Sequence, residues 1–272
     1  MTANEGFAKY NAYSCGQYLT YILVICQSDL EPPKTAAYNI RMKTKLAAKS
    51  PRTKPATTPG AEKTLLKDQA YTELKELIQT GIYPPNTFLS ERQLVEKLQI
   101  SKTPIRSALE HLEAQGLVAV SPQQGIVVKE LSVRDITELF DMRLAMEPFM
   151  ASQLASRVLS ADQNERLAGN LTKQHAAALA GDALAATRLD IEFHMLIASL
   201  LDNREMTAWL TRCFDKLYRS VLRINQLSNG RLLKSQQDHA AIVAAINSGE
   251  ATAAAKAMTE HLRYGRQFLL GG

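Results

Sequence analysis

The sequence is poor in the residues that stabilise secreted or membrane proteins. Its three cysteines, Cys15, Cys26 and Cys213, show neither a metal-binding spacing nor an even disulfide set, so we expect a reducing cytoplasm. The apolar run nearest the N-terminus, Tyr18 to Cys26, has nine residues. A membrane-spanning helix needs about 20. The run also lacks the basic segment and cleavage site of a signal peptide, so no membrane association is expected.

Motifs of several enzyme classes are also missing. The chain contains neither the His-Glu-x-x-His motif of zinc proteases nor the nucleophile elbow of hydrolases, which argues against an enzyme. Aromatic residues make up only 6% of the 272 residues, whereas alanine and leucine are abundant, and this composition favours helices. The length suggests two domains, and the composition suggests that they are mainly helical.

The first 62 residues show no sustained hydrophobic period and predict a disordered basic tail. Between Lys34 and Lys63, eight basic residues stand against a single acid. We expect the tail either to add non-specific affinity for DNA or to have no function. As a further alternative, translation begins at Met42 and residues 1–41 are not made.

Residues 63–130 carry the pattern of a winged helix-turn-helix. An apolar stripe from Lys63 to Thr80 predicts a first helix. Ser90, followed three residues later by Gln93, predicts a capping box at the start of a second helix. The spacing therefore places two helices before the segment that contains Lys102 and Arg106.

A third helix is predicted to start at Ser101 or Lys102, because Ser101 offers an N-cap and a proline at position 104 is tolerated in a first helical turn. Ile105, Leu109 and Leu112 share its buried face, and Gly116 ends it. Two short apolar strands follow, at 117–120 and 126–128, and form the wing. A helix of this size fits the major groove of DNA.

These residues resemble the DNA-binding domain of the GntR family of bacterial transcription regulators. That family carries a Ser-Glu-Arg at the second helix and a Ser-Arg-x-x-x-Arg run in the recognition helix, where this chain has Ser90-Glu91-Arg92 and Ser101-Lys102-Thr103-Pro104-Ile105-Arg106. Lysine replaces the usual arginine at position 102, which leaves a point charge instead of a planar fork. The resemblance implies that the operator DNA is contacted by Arg92, Ser101, Lys102, Thr103, Arg106 and, at the wing tip, Gly125.

Residues 131–272 predict an antiparallel bundle of helices. Ser132 and Asp135 mark its start as a capping box. The breaks in the helical pattern predict helices at about 133–158, 161–180, 183–201, 204–226, 231–248 and 251–268.

Three of the five histidines and one aspartate lie where such helices could bring them together. Asp190 and His194 are one turn apart on a single helix. His239 and His261 lie on consecutive helices, about 15 and 18 Å from the turn that joins them, and should therefore be level. The four side chains could bind Zn, Ni, Mn or Fe. Alternatively, they are separate surface or hydrogen-bonded residues.

This region also resembles the FCD effector domain of the FadR-type subgroup of GntR regulators. That domain has an Asp-x-x-x-His in one helix and a histidine in each of its last two helices, which bind a divalent metal in many members. The resemblance implies the metal ligands Asp190, His194, His239 and His261. It also implies that Arg143, which forms an Arg-x-x-x-Glu pattern with Glu147, and Asn203 contact a small organic acid. The alternatives are a helix-face ion pair for Arg143 and a helix cap for Asn203.

Together these patterns predict a homodimeric, DNA-binding transcription regulator, a repressor, that responds to a small carboxylate effector at a metal site. Two alternatives stay open. In one, the metal is purely structural and there is no effector. In the other, a metal-dependent hydrolase is fused to a DNA-binding module, because a metal with open positions can activate water.

Overall fold

The computed structural model describes residues 59–121 and 125–271. The predicted basic tail lies outside these residues except for its last four positions. There the first helix begins at Pro59, four residues earlier than predicted. Within the described residues no helix is long and apolar enough to cross a membrane.

The first part of the described chain, which we call the head, is a winged helix-turn-helix. Its helices and strands are α1 (Pro59–Gln79), β1 (Phe88–Leu89), α2 (Glu91–Leu98), α3 (Lys102–Ala114), β2 (Val118–Ser121) and β3 (Gly125–Val128). The strands form an antiparallel sheet in the order β1-β3-β2, in which Leu89 pairs with Ile126 and Val120 also pairs with Ile126. The sequence predicted only the β2–β3 hairpin. Strand β1 lies between the first and second predicted helices, where no strand was predicted.

Local sequence signals explain the ends of the helices in the head. Ser90 and Gln93 form the predicted capping box, in which the Gln93 amide donates to Ser90 Oγ and the Ser90 amide donates to Gln93 Oε1. Ser101 occupies the N-cap position of α3 without a side-chain cap hydrogen bond. After α3, Gly116 adopts a φ of +75° and the Leu117 amide donates to the Leu112 carbonyl, which is the Schellman pattern.

A single apolar core holds the head together. It is formed by the faces of α1, α2 and α3 that point toward the sheet and by one face of the sheet. Its fully buried side chains include Leu74, Leu94, Ile105, Leu112 and Ile126. Burial of this set leaves the N-terminal end of α3 exposed on the outside of the head.

The rest of the described chain, which we call the body, is a bundle of helices. They are α4 (Val133–Ala155), α5 (Ala161–Ala180), α6 (Ala183–Leu200), α7 (Arg204–Leu227), α8 (Asn229–Asn247) and α9 (Ala251–Leu269). Capping boxes at Ser132 and Ser160 begin α4 and α5. Helix α4 ends three residues earlier than predicted, and α8 begins two residues earlier. The predicted fold class, a mainly helical chain with a winged helix-turn-helix before a helical bundle, is confirmed.

The head packs on α7 of the body through polar contacts. Lys75 Nζ of α1 lies 2.6 Å from Asp215 Oδ1, and Gln79 Nε2 donates to the Asp215 carbonyl oxygen at 3.2 Å. Arg219 Nη2 donates to the Lys129 carbonyl oxygen at 2.6 Å. Helix α7 therefore connects the interior of the body with the head.

Candidate metal centre and nucleic-acid interface

The structure brings Asp190, His194, His239 and His261 together inside the body. Helix α6 supplies the first two, and α8 and α9 supply one each. One ligand atom from each side chain lies within 4.8 Å of the other three. His261 Nε2 is 3.2 Å from His239 Nε2 and 3.3 Å from His194 Nε2. The predicted level position of His239 and His261 is therefore observed.

The environment of this cluster favours neutral imidazoles at His239 and His261 and a charged carboxylate at Asp190. All three histidines are buried, whereas the Asp190 side chain is 15% exposed. Burial, followed by the neighbouring His261 and His194, holds the pKa of His239 well below its usual value. Burial would raise the pKa of Asp190, but the neighbouring His194, His261 and Arg231 and the hydrogen bond from Ser235 lower it overall. Neutral imidazole nitrogens and a carboxylate are the forms that bind metals.

A buried glutamine determines how His239 is oriented. Gln174 Nε2 donates to Asn170 Oδ1 at 2.6 Å, so its Oε1 faces His239 Nδ1 at 2.8 Å. Because that oxygen can only accept, Nδ1 carries the proton and the Nε2 lone pair faces the cluster. Metal-binding histidines are commonly oriented by such an outer partner.

Carboxylates lie near the outer nitrogens of the other two histidines. Glu147 Oε2 lies 2.5 Å from His194 Nδ1, and Asp238 Oδ2 lies 3.6 Å from His261 Nδ1. All three Nε2 atoms therefore face the interior of the cluster, and all three Nδ1 atoms face outward.

Arg143 and Glu147 form a buried ion pair at the edge of the cluster. Arg143 Nε donates to Glu147 Oε1 at 2.5 Å, and Arg143 Nη2 lies 3.3 Å from His194 Nε2. Burial would raise the pKa of Glu147, but Arg143 and His194 outweigh it and lower that pKa to about 2. The alternative of an ion pair on one helix face is therefore observed, although the pair is buried.

Other residues singled out in the sequence lie elsewhere. Asn203 Oδ1 accepts from the Met206 amide at 3.0 Å, so its side chain caps α7. Glu192, two residues after Asp190 on α6, is exposed. Sequence reasoning missed Gln174 and Asp238, because nothing in the sequence shows which faces of α5 and α8 turn toward the histidines.

The geometry of the cluster fits a divalent metal ion. Two nitrogens bound to one ion at about 2.0–2.1 Å lie about 3 to 3.4 Å apart, and the observed 3.2 and 3.3 Å agree. With Nδ1 protonated, the Nε2 lone pairs of His194, His239 and His261 converge without a hydrogen between them. A cation at their centre would relieve that repulsion.

On the head, the predicted DNA-contacting side chains share one exposed region. Arg92 projects from α2, and Ser101, Lys102, Thr103 and Arg106 lie in the first turns of α3. Arg106 is already ordered by Glu91: its Nε and Nη2 donate to the two carboxylate oxygens at 2.7 and 2.9 Å. That pairing fixes the plane of the guanidinium and leaves Nη1 free to donate elsewhere.

Gly125 has a structural role in the wing. Its φ is +82°, and a Cβ atom there would lie 2.9 Å from the Leu89 carbonyl oxygen of β1. Only glycine therefore fits where β1 meets the hairpin. Residues 122–124, at the tip of the wing, lie outside the described residues.

Two protein families match successive segments of the chain. Residues 66–128 match the family described as "Bacterial regulatory proteins, gntR family", and residues 138–264 match the "FCD domain". The chain belongs to the GntR family and carries an FCD domain. The GntR segment contains the exposed cations of α2 and α3, and the FCD segment contains the four-residue cluster. The predicted family and the predicted absence of enzyme activity are confirmed, since both families consist of regulators.

Individual relatives agree with this assignment. The chain is 27% identical over 201 residues to the HTH-type transcriptional repressor RspR of Escherichia coli, covering 73% of this chain and 86% of RspR. It is 35% identical over 86 residues to an uncharacterised HTH-type transcriptional regulator of Agrobacterium vitis, which is 32% of this chain but only 50% of that relative.

Solved structures of GntR regulators share the fold. Escherichia coli McbR/YncC superposes with a TM-score of 0.67 at 20% identity, covering 75% of this chain and 96% of McbR/YncC. A putative GntR regulator from Rhodococcus sp. RHA1 superposes with a TM-score of 0.65 at 22% identity, covering 76% and 98%. At these identities the likeness concerns the fold alone.

Proposed function

We propose that this GntR regulator is a cytoplasmic repressor that binds a pseudo-palindromic operator as a homodimer. Its operator affinity is set by a small carboxylate effector at a metal site formed by Asp190, His194, His239 and His261. The observation that carries the proposal is the convergence of these four donors beside the buried Arg143, inside the domain that contacts the DNA-binding head through α7.

The donor set and its surroundings favour an acid as the effector. A divalent ion held there, whether Zn, Ni, Mn or Fe, would offer positions for the oxygens of a carboxylate. Arg143 lies at the same edge and can donate to that carboxylate from Nη2, while its Nε donates to Glu147. Because the Asn203 side chain already caps α7, it is a weaker candidate for an effector contact than the resemblance implied.

The hydrolase alternative has little support in this geometry. A hydrolase needs a carboxylate or another base beside the attacking water. Glu192 is exposed, and Glu147 is occupied by Arg143 and His194. The families that match the chain are regulators.

The effector proposal is tested by a thermal-shift screen of small carboxylic acids. We expect at least one acid to raise the melting temperature of the metal-loaded protein by several degrees and to leave the chelator-treated protein unchanged, because the acid needs both the ion and Arg143. A broad screen without any shift would instead favour a purely structural metal.

The DNA-binding proposal depends on Arg106 reading a base. Arg106→Ala should weaken binding to an operator selected from random duplexes by about 1–3 kcal/mol, measured by fluorescence anisotropy. Binding to a scrambled duplex should change less, since that binding depends on phosphate contacts. Arg134→Ala is the matched control, because Arg134 is also an exposed arginine paired with a glutamate but lies on α4. Unchanged operator affinity in Arg106→Ala would remove this residue from the interface.

Helix α7 is positioned to pass a change at the metal site to the head. The Phe214 ring centroid lies 5.4 Å from that of His194 and 4.6 Å from the Arg143 guanidinium carbon. The next residue, Asp215, pairs with Lys75 of the head. A shift of α7 would alter the separation of the two recognition helices in a dimer. These helices must lie about 34 Å apart to read half-sites one DNA turn apart.

Asp215→Asn should therefore reduce the response to the effector. Couplings between sites are typically about 1–3 kcal/mol, and we expect the variant to lose at least half of the change in operator affinity that the acid causes in the wild type. The comparison is made by anisotropy with and without the acid. Asp141→Asn is the control, because Asp141 pairs with Arg266 within the body. An undiminished response in Asp215→Asn would exclude this contact as the route.

A further inference from the structure

Arg231, near the start of α8, is a buried cation without a partner carboxylate. Its side chain is largely removed from solvent, at 6% exposure. Arg231 Nε donates to Asn225 Oδ1 at 3.0 Å, and the guanidinium carbon lies 5.4 Å from the Phe268 ring centroid. Among residues 59–121 and 125–271, no carboxylate oxygen lies within 4.0 Å of its nitrogens. Its Nη groups also find no acceptor within this part of the chain.

This arrangement differs from that of Arg143, the other buried arginine near the cluster, which is neutralised by Glu147. Burial lowers the pKa of Arg231, and Asp190, though too distant for a salt bridge, counteracts this effect. An uncompensated buried charge is unfavourable, and an incoming anion can offset that cost. Arg231 thus has the character of a binding residue whose counter-ion comes from outside the chain.

A series of hydrogen bonds connects Arg231 to the metal cluster. Arg231, Ser235 and His239 are spaced by four residues and share one face of α8. Ser235 Oγ donates to Asp190 Oδ1 at 2.8 Å. One turn before Asp190 on α6, Thr187 Oγ1 accepts from Asn225 Nδ2 at 2.8 Å, and Asn225 is the residue that holds Arg231.

The spacing along α8 also indicates how far Arg231 lies from the metal cluster. Arg231 and His239 are two helical turns apart, about 12 Å along the axis at about 1.5 Å per residue. Between them lies Asp190, which Ser235 contacts and whose side chain, at 15% exposure, is the most exposed of the four. The most exposed member of the cluster therefore lies on the side that faces Arg231.

We propose that Arg231 binds a second carboxylate of the effector, so that the regulator responds to dicarboxylic acids. This inference rests on the proposed function, since it assumes that the first carboxylate lies at the metal site beside Arg143. Each carboxylate of the ligand then contacts one arginine: Arg143 binds the carboxylate at the metal site, and Arg231 binds the other carboxylate. A monocarboxylic acid satisfies only the first and leaves Arg231 uncompensated.

The test compares two series of acids on the metal-loaded full chain by isothermal titration calorimetry. One series runs from succinate to suberate, and the other contains the straight-chain monocarboxylic acids with the same numbers of carbons. In the wild type, the best diacid should bind at least about tenfold more tightly than its matched monoacid, which corresponds to about 1.4 kcal/mol. Arg231→Gln should abolish this excess and leave the monoacid affinity within about twofold of the wild type. Arg223→Gln, which removes an exposed arginine of α7, should keep the excess.

The outcomes separate the inference from the proposed function. A diacid preference that persists in Arg231→Gln would overturn the role of Arg231 and leave the metal-site effector intact. Binding of neither series, or equal binding after the metal is chelated, would overturn the effector site itself and this inference with it. If Arg231→Gln does not fold, as judged by circular dichroism, Arg231→Lys serves in its place. The shorter ammonium should then favour a different diacid length, and an unchanged optimum would count against the proposal.

Discussion

Replacing His239 with alanine is expected to reduce the metal content of the purified protein to less than about a tenth of the wild-type value. Removal of an outer partner alone typically weakens metal binding about 10–100-fold, and His239 is itself one of three converging imidazoles. Its Nε2 lies 3.2 Å from His261 Nε2, and its ring stacks on Phe193 with centroids 3.9 Å apart. The variant therefore loses a ligand and the side chain that packs beside it.

Elemental analysis by inductively coupled plasma mass spectrometry measures this effect directly. His175→Ala is the matched control, because His175 lies on α5 outside the cluster and its loss should leave the metal content unchanged. Full occupancy in His239→Ala would show that the four side chains do not act together as ligands.

The second large effect is expected from Glu147→Ala, which should lower the free energy of unfolding by about 3–5 kcal/mol. The variant leaves Arg143 buried without its counter-ion and leaves His194 Nδ1 without its partner. Urea denaturation followed by circular dichroism measures the change, with a chelator present so that metal binding does not contribute. Glu138→Ala is the control, since that glutamate forms an exposed i,i+4 pair with Arg134. Its loss should change stability by less than about 1 kcal/mol.

A double variant separates charge from packing. Arg143→Met combined with Glu147→Leu removes both charges and fills a similar volume, so it should recover most of the stability that Glu147→Ala loses. Recovery would identify the uncompensated arginine as the cause. A loss below about 1 kcal/mol in Glu147→Ala would show that the guanidinium finds water or another acceptor.

Local signals in the sequence were sufficient to predict most helix ends. Ser90 with Gln93 and Ser132 with Asp135 form capping boxes, and Gly116 ends α3, because each depends on neighbours within four residues or so. Strand β1 was not predictable in this way. Its two residues pair with β3, almost forty residues away in sequence, and have no pattern of their own.

In the candidate site too, local spacing predicted some features, whereas others depend on packing between distant helices. Asp190 and His194 share a helix face by spacing alone, and simple helix geometry placed His239 level with His261. The partner of His239, Gln174, depends on how α5 rotates against α8, which the packing of the whole body decides. Arg231 is likewise unremarkable in the sequence, and only its burial without a carboxylate distinguishes it.

Anomalous X-ray diffraction from crystals of the full chain, purified without chelators, tests the metal site of the FCD domain most directly. Data collected at the absorption edge of the metal found by elemental analysis should show one peak per chain, located between the Nε2 atoms of His194, His239 and His261 and the Asp190 carboxylate. A map without a peak there, or with the metal bound at another position, would contradict the proposed site and the effector mechanism that depends on it.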